Sequence, residues 1–172
     1  AAFSNEFEDV LSDTLATMDS KLFSIHYNML SAYITNIITQ RKLDYACELI
    51  RRLQVEFLPF IGKYIRNINK YHFDLAFQMF TAASHKGDHN LSTKCIAECD
   101  SYLGRLDISY ESLDYYFSYK IRVVEHLKNV FRFSEALKML EKLEELQDNL
   151  ISTYSLVGDF EGLGSDIKSV TL

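Results

Sequence analysis

His85, His89, Cys95 and Cys99 form the group whose side chains could hold a metal, with the spacing His85-x3-His89-x5-Cys95-x3-Cys99. Histidine nitrogens and cysteine thiolates are good zinc ligands. On one helix, however, Cys99 lies ten residues beyond His89, roughly 15 Å away at ~1.5 Å per residue. His85, across the turn Lys86-Gly87-Asp88, is near His89 and far from Cys99. All four converge only under a different helix assignment, so Cys95 and Cys99 read as buried thiols on a packing face. A metal-binding or catalytic helical domain centred on His85 and His89 is kept as the rival from another class. Stoichiometric zinc, or loss of an activity on changing either histidine, would favour it.

Other chemistry finds less to stand on. Gly158-x3-Gly162-x-Gly164-Ser165 looks like a phosphate loop but lacks the following lysine and a preceding strand. There is no Gly-x-Ser-x-Gly elbow and no His-Glu-x-x-His motif. The carboxylate runs Glu6/Glu8/Asp9 and Glu141/Glu144/Glu145 fall on the polar sides of amphipathic helices, where a solvated face explains them. No enzymatic activity, cofactor or bound metal is therefore expected. Two stretches suit binding. Lys63 to His72 interleaves basic and aromatic residues, fit for an acidic peptide or phosphate, or for a solvated connector with snorkelling side chains. Tyr110, Tyr115, Tyr116, Phe117 and Tyr119 offer rigid area with polar tips, for an interface or for packing between helices.

The elements that carry these residues are helical. Only 6 glycines and 1 proline occur in 172 residues, so long stretches can stay helical and an all-β chain is disfavoured. Apolar residues make up 48% and charged residues 24%, a globular balance. A net charge of −6 with scattered Lys and Arg argues against nucleic-acid binding. No apolar run approaches the roughly 18 residues of a membrane span, and the acidic start AAFSNEFEDV is unlike a signal peptide. Three cysteines without framework spacing read as reduced thiols, hence a cytoplasmic protein. Ala1-Ala2 leads straight into a helix, and the expectation is one domain of a larger protein.

Apolar periodicity divides the chain. An N-terminal helix occupies 1–20, on Phe3, Phe7, Val10, Leu11, Leu15 and Met18. A first helix pair occupies 21–58, with Phe23, Tyr27, Leu30, Ile34 and Ile37 on one face and Tyr33 and Ile38 widening it. Pro59 ends the second helix of that pair by about Phe57. Residues 59–71 are an irregular connector or short helix. Further pairs occupy 72–104, 113–147 and 149–171, with Asp88 as the cap of one helix and Gly158-Asp159 as the last turn.

Four sets recur after the turns: Leu43/Ala46/Ile50/Leu53, His89/Ser92/Ile96/Cys99, Phe133/Ala136/Leu140/Leu143 and Phe160/Leu163/Ile167/Val170. This pattern resembles the tetratricopeptide repeat, a helix-turn-helix unit that stacks into a superhelix. A small residue lets the two helices approach and bulky ones fill the gaps between units. The anchors Ala46, Ser92, Ala136 and Leu163 are 46, 44 and 27 residues apart, against a regular ~34, so extra helix or loop lies between units one and three. The resemblance implies an all-α chain of antiparallel helix-hairpin repeats, stacked as one short TPR-like α-solenoid over residues 1–172. An irregular helical bundle is the alternative fold.

It further implies a non-enzymatic protein- or peptide-binding module, an interaction or sensor domain like those of bacterial signalling and regulatory proteins. The concave face would carry Asn28, Ser31 and Thr35, then Asp74, Phe77 and Thr81, then Ser118, Ile121, Glu125 and Lys128. The expected partner is a protein or peptide, with neither nucleic acid nor membrane. Self-association into a homo-oligomer through an end helix is the alternative.

Overall fold

A computed structural model describes residues 20–63, 65, 68–106 and 110–154, without the side chains of 20–22, 110–112 and 150–154. All regular structure among these residues is helical. The elements are α1 (Ser20–Thr39), α2 (Leu43–Arg52), a π-helical turn (Leu53–Phe57), α3 (Leu58–Ile61), α4 (Asn69–Lys86), α5 (His89–Leu103), α6 (Tyr110–Asn129) and α7 (Phe133–Tyr154). The chain divides between Gly104 and Arg105 into two compact units. The N-terminal helix expected over 1–20 and the fourth set, Phe160 to Val170, lie outside the described residues.

Three turns share one backbone solution. Arg41, Gly87 and Phe131 take left-handed conformations, with φ of 61°, 76° and 62°. In each, the next N–H donates to the carbonyl five residues back: Lys42 to Ile37 at 3.1 Å, Asp88 to Ala83 at 3.0 Å, Arg132 to Leu127 at 2.8 Å. This is the Schellman closure, which satisfies carbonyls that a helix end leaves orphaned. The following helix then starts from the same register, with Ala46, Ser92 and Ala136 donating to Lys42, Asp88 and Arg132. All three of those anchors are 0% exposed. The small-residue positions of the first three sets are therefore sites of close approach.

Glycine is suited to the left-handed state, whereas a Cβ there costs roughly 1–2 kcal/mol. Arg41→Gly and Phe131→Gly are each expected to stabilise the chain by about 0.5–1 kcal/mol, and Gly87→Ala to destabilise it by about 1 kcal/mol. Urea melts of the three variants check this; destabilisation by Phe131→Gly would show that the side chain matters more than the turn.

In the first unit, α4 is the central helix. Tyr71, Phe73, Leu75, Ala76, Gln78, Met79, Phe80, Ala82 and Ala83 are buried on it, covering most of its circumference. It packs on α5, α2 and α1. On α1, Phe23, Tyr27, Ile34, Ile37 and Ile38 are buried, but Tyr33 is half in solvent, so the widened face includes Ile38 and not Tyr33. Aromatic rings tie the start of α1 to α4: Tyr71 meets Tyr27 at 4.5 Å and Phe23 at 5.4 Å, both edge to face. Phe57 stacks on Phe23 from the π-helical turn.

Pro59 does not end the helical winding at Phe57. In a continuous α-helix its ring would strike the Val55 carbonyl and its missing N–H would break a bond. The wide turn Leu53–Phe57 shifts the register, so Pro59 falls in the first turn of α3, where no N–H is required. Arg52, Phe57 and Leu58 all keep right-handed helical angles. Helix α4 starts at Asn69 rather than His72, absorbing the end of the supposed connector.

In the second unit, α6 packs on α7. Phe117 and Leu143 form one buried cluster, with Tyr116, Ile121, Met139 and Leu146 against it. Helix α7 continues to Tyr154 without the break expected near Asn149. Residues 147–149 contain neither glycine nor proline, so nothing in them stops a helix whose apolar face persists to Leu146.

Candidate functional site

The polar residues that the structure gathers lie between α1 and α4. Asp74 Oδ2 accepts hydrogen bonds from Tyr27 Oη at 2.8 Å, Ser31 Oγ at 3.1 Å and Gln78 Nε2 at 3.1 Å. Gln78 Nε2 also donates to Ser31 Oγ at 2.5 Å. The partners pair in step, 27 with 74 and 31 with 74 and 78, so α1 and α4 run side by side in the same direction. Helical spacing places Tyr27 and Ser31 one turn apart, and Asp74 and Gln78 likewise. The rings of Phe23, Tyr27 and Tyr71 hold this end of the interface in place.

Burial raises the Asp74 pKa above the ordinary carboxyl range, opposed by the hydrogen bonds from Tyr27, Ser31 and Gln78 and by the more distant charge of Lys70. A raised carboxyl pKa stabilises the fold most at low pH, and this contribution is lost as pH rises through the raised value. Gln78 is only 7% exposed, yet its Oε1 is buried without a donor among the described residues. Buried acceptors are normally paired, so an orphan in a polar cluster is informative.

Of the ten residues expected on a concave face, the structure brings Ser31 and Asp74 into contact. Asn28 and Thr35 flank Ser31 and are exposed; Thr35 Oγ1 donates to the Ser31 carbonyl at 3.0 Å. Phe77 and Thr81 are half-buried on α4, and the Thr81 hydroxyl is taken up by the Phe77 carbonyl at 3.0 Å. Ser118, Ile121, Glu125 and Lys128 lie on α6, in the other unit. Ser118 is exposed, Ile121 packs partly on the Phe117–Leu143 core, and Glu125 pairs with Arg122 at 2.6 Å. Tyr27 and Gln78 were missed as site residues. Tyr27 reads as core by its apolar spacing, and the only signal for Gln78 is a polar residue four after Asp74 within an apolar run.

The histidine–cysteine group is split. His85 and His89 are exposed, whereas Cys95 and Cys99 point inward at 2% and 0% exposure. Arg41 Nη1 lies 3.1 Å from His85 Nδ1, and Lys86 pairs with Asp44, so the first and second turns adjoin. Burial pushes the Cys95 thiol up to about 12 and raises Cys47, which makes both poor nucleophiles. Among the described residues, no three His, Cys, Asp or Glu side chains are arranged to hold a metal.

Both aromatic stretches contribute some residues to packing, while Tyr64, Arg66, Asn67 and the Tyr110 side chain lie outside what is described. Phe117 and Tyr119 are buried, and Lys120 Nζ lies 4.9 Å from the Tyr119 ring. In the basic stretch, Tyr71 is buried and His72 stacks on Tyr102 at 4.9 Å. Among the described residues no helix is long and apolar enough to cross a membrane. Comparison with protein-family models, curated proteins and solved structures found no match.

Proposed function

We propose that this chain is a non-enzymatic protein- or peptide-binding module, made of helix hairpins stacked in the manner of a short tetratricopeptide-like solenoid. It would serve as an interaction or sensor domain in a cytoplasmic signalling or regulatory protein. The Ser31–Asp74 hydrogen bond carries this reading. It joins first helices of two successive hairpins, and repeat stacking lines up such helices into one recognition face. Three like turns with a buried small anchor after each add support.

The test uses peptides selected from a random display library on the purified chain. Asn28→Ala with Thr35→Ala should leave the fold intact, because both residues are exposed. The same pair should weaken the selected peptide about tenfold, since polar contacts desolvated by a ligand are expensive to lose. Glu141→Ala with Glu144→Ala, exposed on α7, should change neither stability nor affinity. If only the Glu141/Glu144 pair affects binding, recognition lies outside the α1–α4 face.

Self-association is a second reading with its own observation. Phe131, Phe133 and Leu137 are 82%, 51% and 47% exposed at the α6–α7 turn. Clustered exposed apolar side chains mark contact surfaces. Sedimentation over a range of concentrations separates the two readings.

A further inference from the structure

We propose that the Tyr27–Ser31–Asp74–Gln78 cluster anchors a cationic side chain, arginine or lysine, of the segment bound on the α1–α4 face. This rests on the peptide-binding reading and names the chemistry that the face selects. Within the cluster the donors are spent: Tyr27, Ser31 and the Gln78 amide all point at Asp74 Oδ2 or at one another. What remains is acceptor capacity. Asp74 brings a carboxylate whose hydrogen bonds, among the described residues, come from neutral donors alone, and Gln78 adds an orphaned amide oxygen. A group with several N–H donors and a positive charge complements the carboxylate, while the Gln78 oxygen is itself enclosed; an anion or a neutral acceptor would meet only repulsion or competition.

The energetics favour the same occupant. Removing a carboxylate from water is costly, and folding has already imposed that cost on Asp74. An incoming cation has only its own desolvation to overcome, and gains attraction in a medium less screening than water. Lys70, one turn back on α4, acts on Asp74 more weakly than the three hydrogen bonds. Ser31 and Asp74 are only partly buried, and Asn28 and Thr35 flank them in solvent, so one side of the cluster is open.

The test compares random peptides displayed against the native chain and against Asp74→Asn, which keeps the size of the side chain and one of its two acceptor oxygens while removing the charge. Arginine or lysine should be enriched at one peptide position with the native chain, and that enrichment should vanish with Asp74→Asn. A selected arginine peptide should bind the native chain at least about tenfold more tightly than its citrulline analogue, and the two should bind Asp74→Asn alike. The citrulline exchange alters the ligand only, so it reads the charge even if the variant chain folds poorly. Peptides that depend on Asn28 and Thr35 but carry no basic preference overturn the anchor while leaving the binding module in place. Selection of no peptide at all overturns both. An arginine preference that survives in Asp74→Asn makes the cluster a structural clasp only.

Discussion

Phe80→Ala is expected to destabilise the chain by about 3–5 kcal/mol, the range for truncating a fully buried phenylalanine. Phe80 is 0% exposed on α4, the helix against which α1, α2 and α5 all pack. Two terms add: the lost transfer of the ring from water, and a cavity that three surrounding helices cannot jointly collapse. Phe77 provides the internal comparison. It lies three residues earlier on the same helix but is half-buried, so Phe77→Ala should cost clearly less. Urea denaturation followed by circular dichroism measures both. A loss below about 1 kcal/mol for Phe80→Ala would show that α4 is not the centre of its unit.

Ala136→Leu should cost about 1–3 kcal/mol, by overpacking rather than by loss of contact. Ala136 is 0% exposed, one turn after the left-handed Phe131, with its N–H bonded to the Arg132 carbonyl. Three added carbons must enter the α6–α7 crossing or push the helices apart. Leu137, the next residue, is 47% exposed, and Leu137→Ala should stay within about 0.5 kcal/mol. Calorimetric melting of the two variants decides the matter. If Ala136→Leu melts like the parent, the small residue does not mark a close approach, and the equivalence of Ala46, Ser92 and Ala136 falls with it.

Much of the local structure was legible because it depends on neighbours in sequence. Gly87 and Asp88 announced their turn: glycine takes φ of 76°, and the Asp88 carboxylate accepts from the Leu91 N–H at 3.0 Å. Ala46, Ser92 and Ala136 stood out as small residues at one offset after each turn, and burial of all three follows from that offset. Arg41 and Phe131 were harder, since neither is a residue that favours the left-handed state. At Pro59 the local rule was sound in excluding an interior α position, but a change of helical register was another way to obey it.

By itself the sequence determined that the chain is helical, where its first three turns fall, and which small residue follows each turn. These properties rest on hydrophobic period and capping, both read within one or two turns of helix. Only tertiary structure decided that Ser31 meets Asp74, that Gln78 completes the cluster, and that Tyr33 remains in solvent while Ile38 is buried. Those outcomes join residues 43 and 47 positions apart, or depend on how far one helix face is covered by its neighbours. Periodicity ranks the sides of a helix but does not say which partner each side meets. That choice is made by packing, and with it the meeting of the partly buried Asp74 carboxylate with the Gln78 amide.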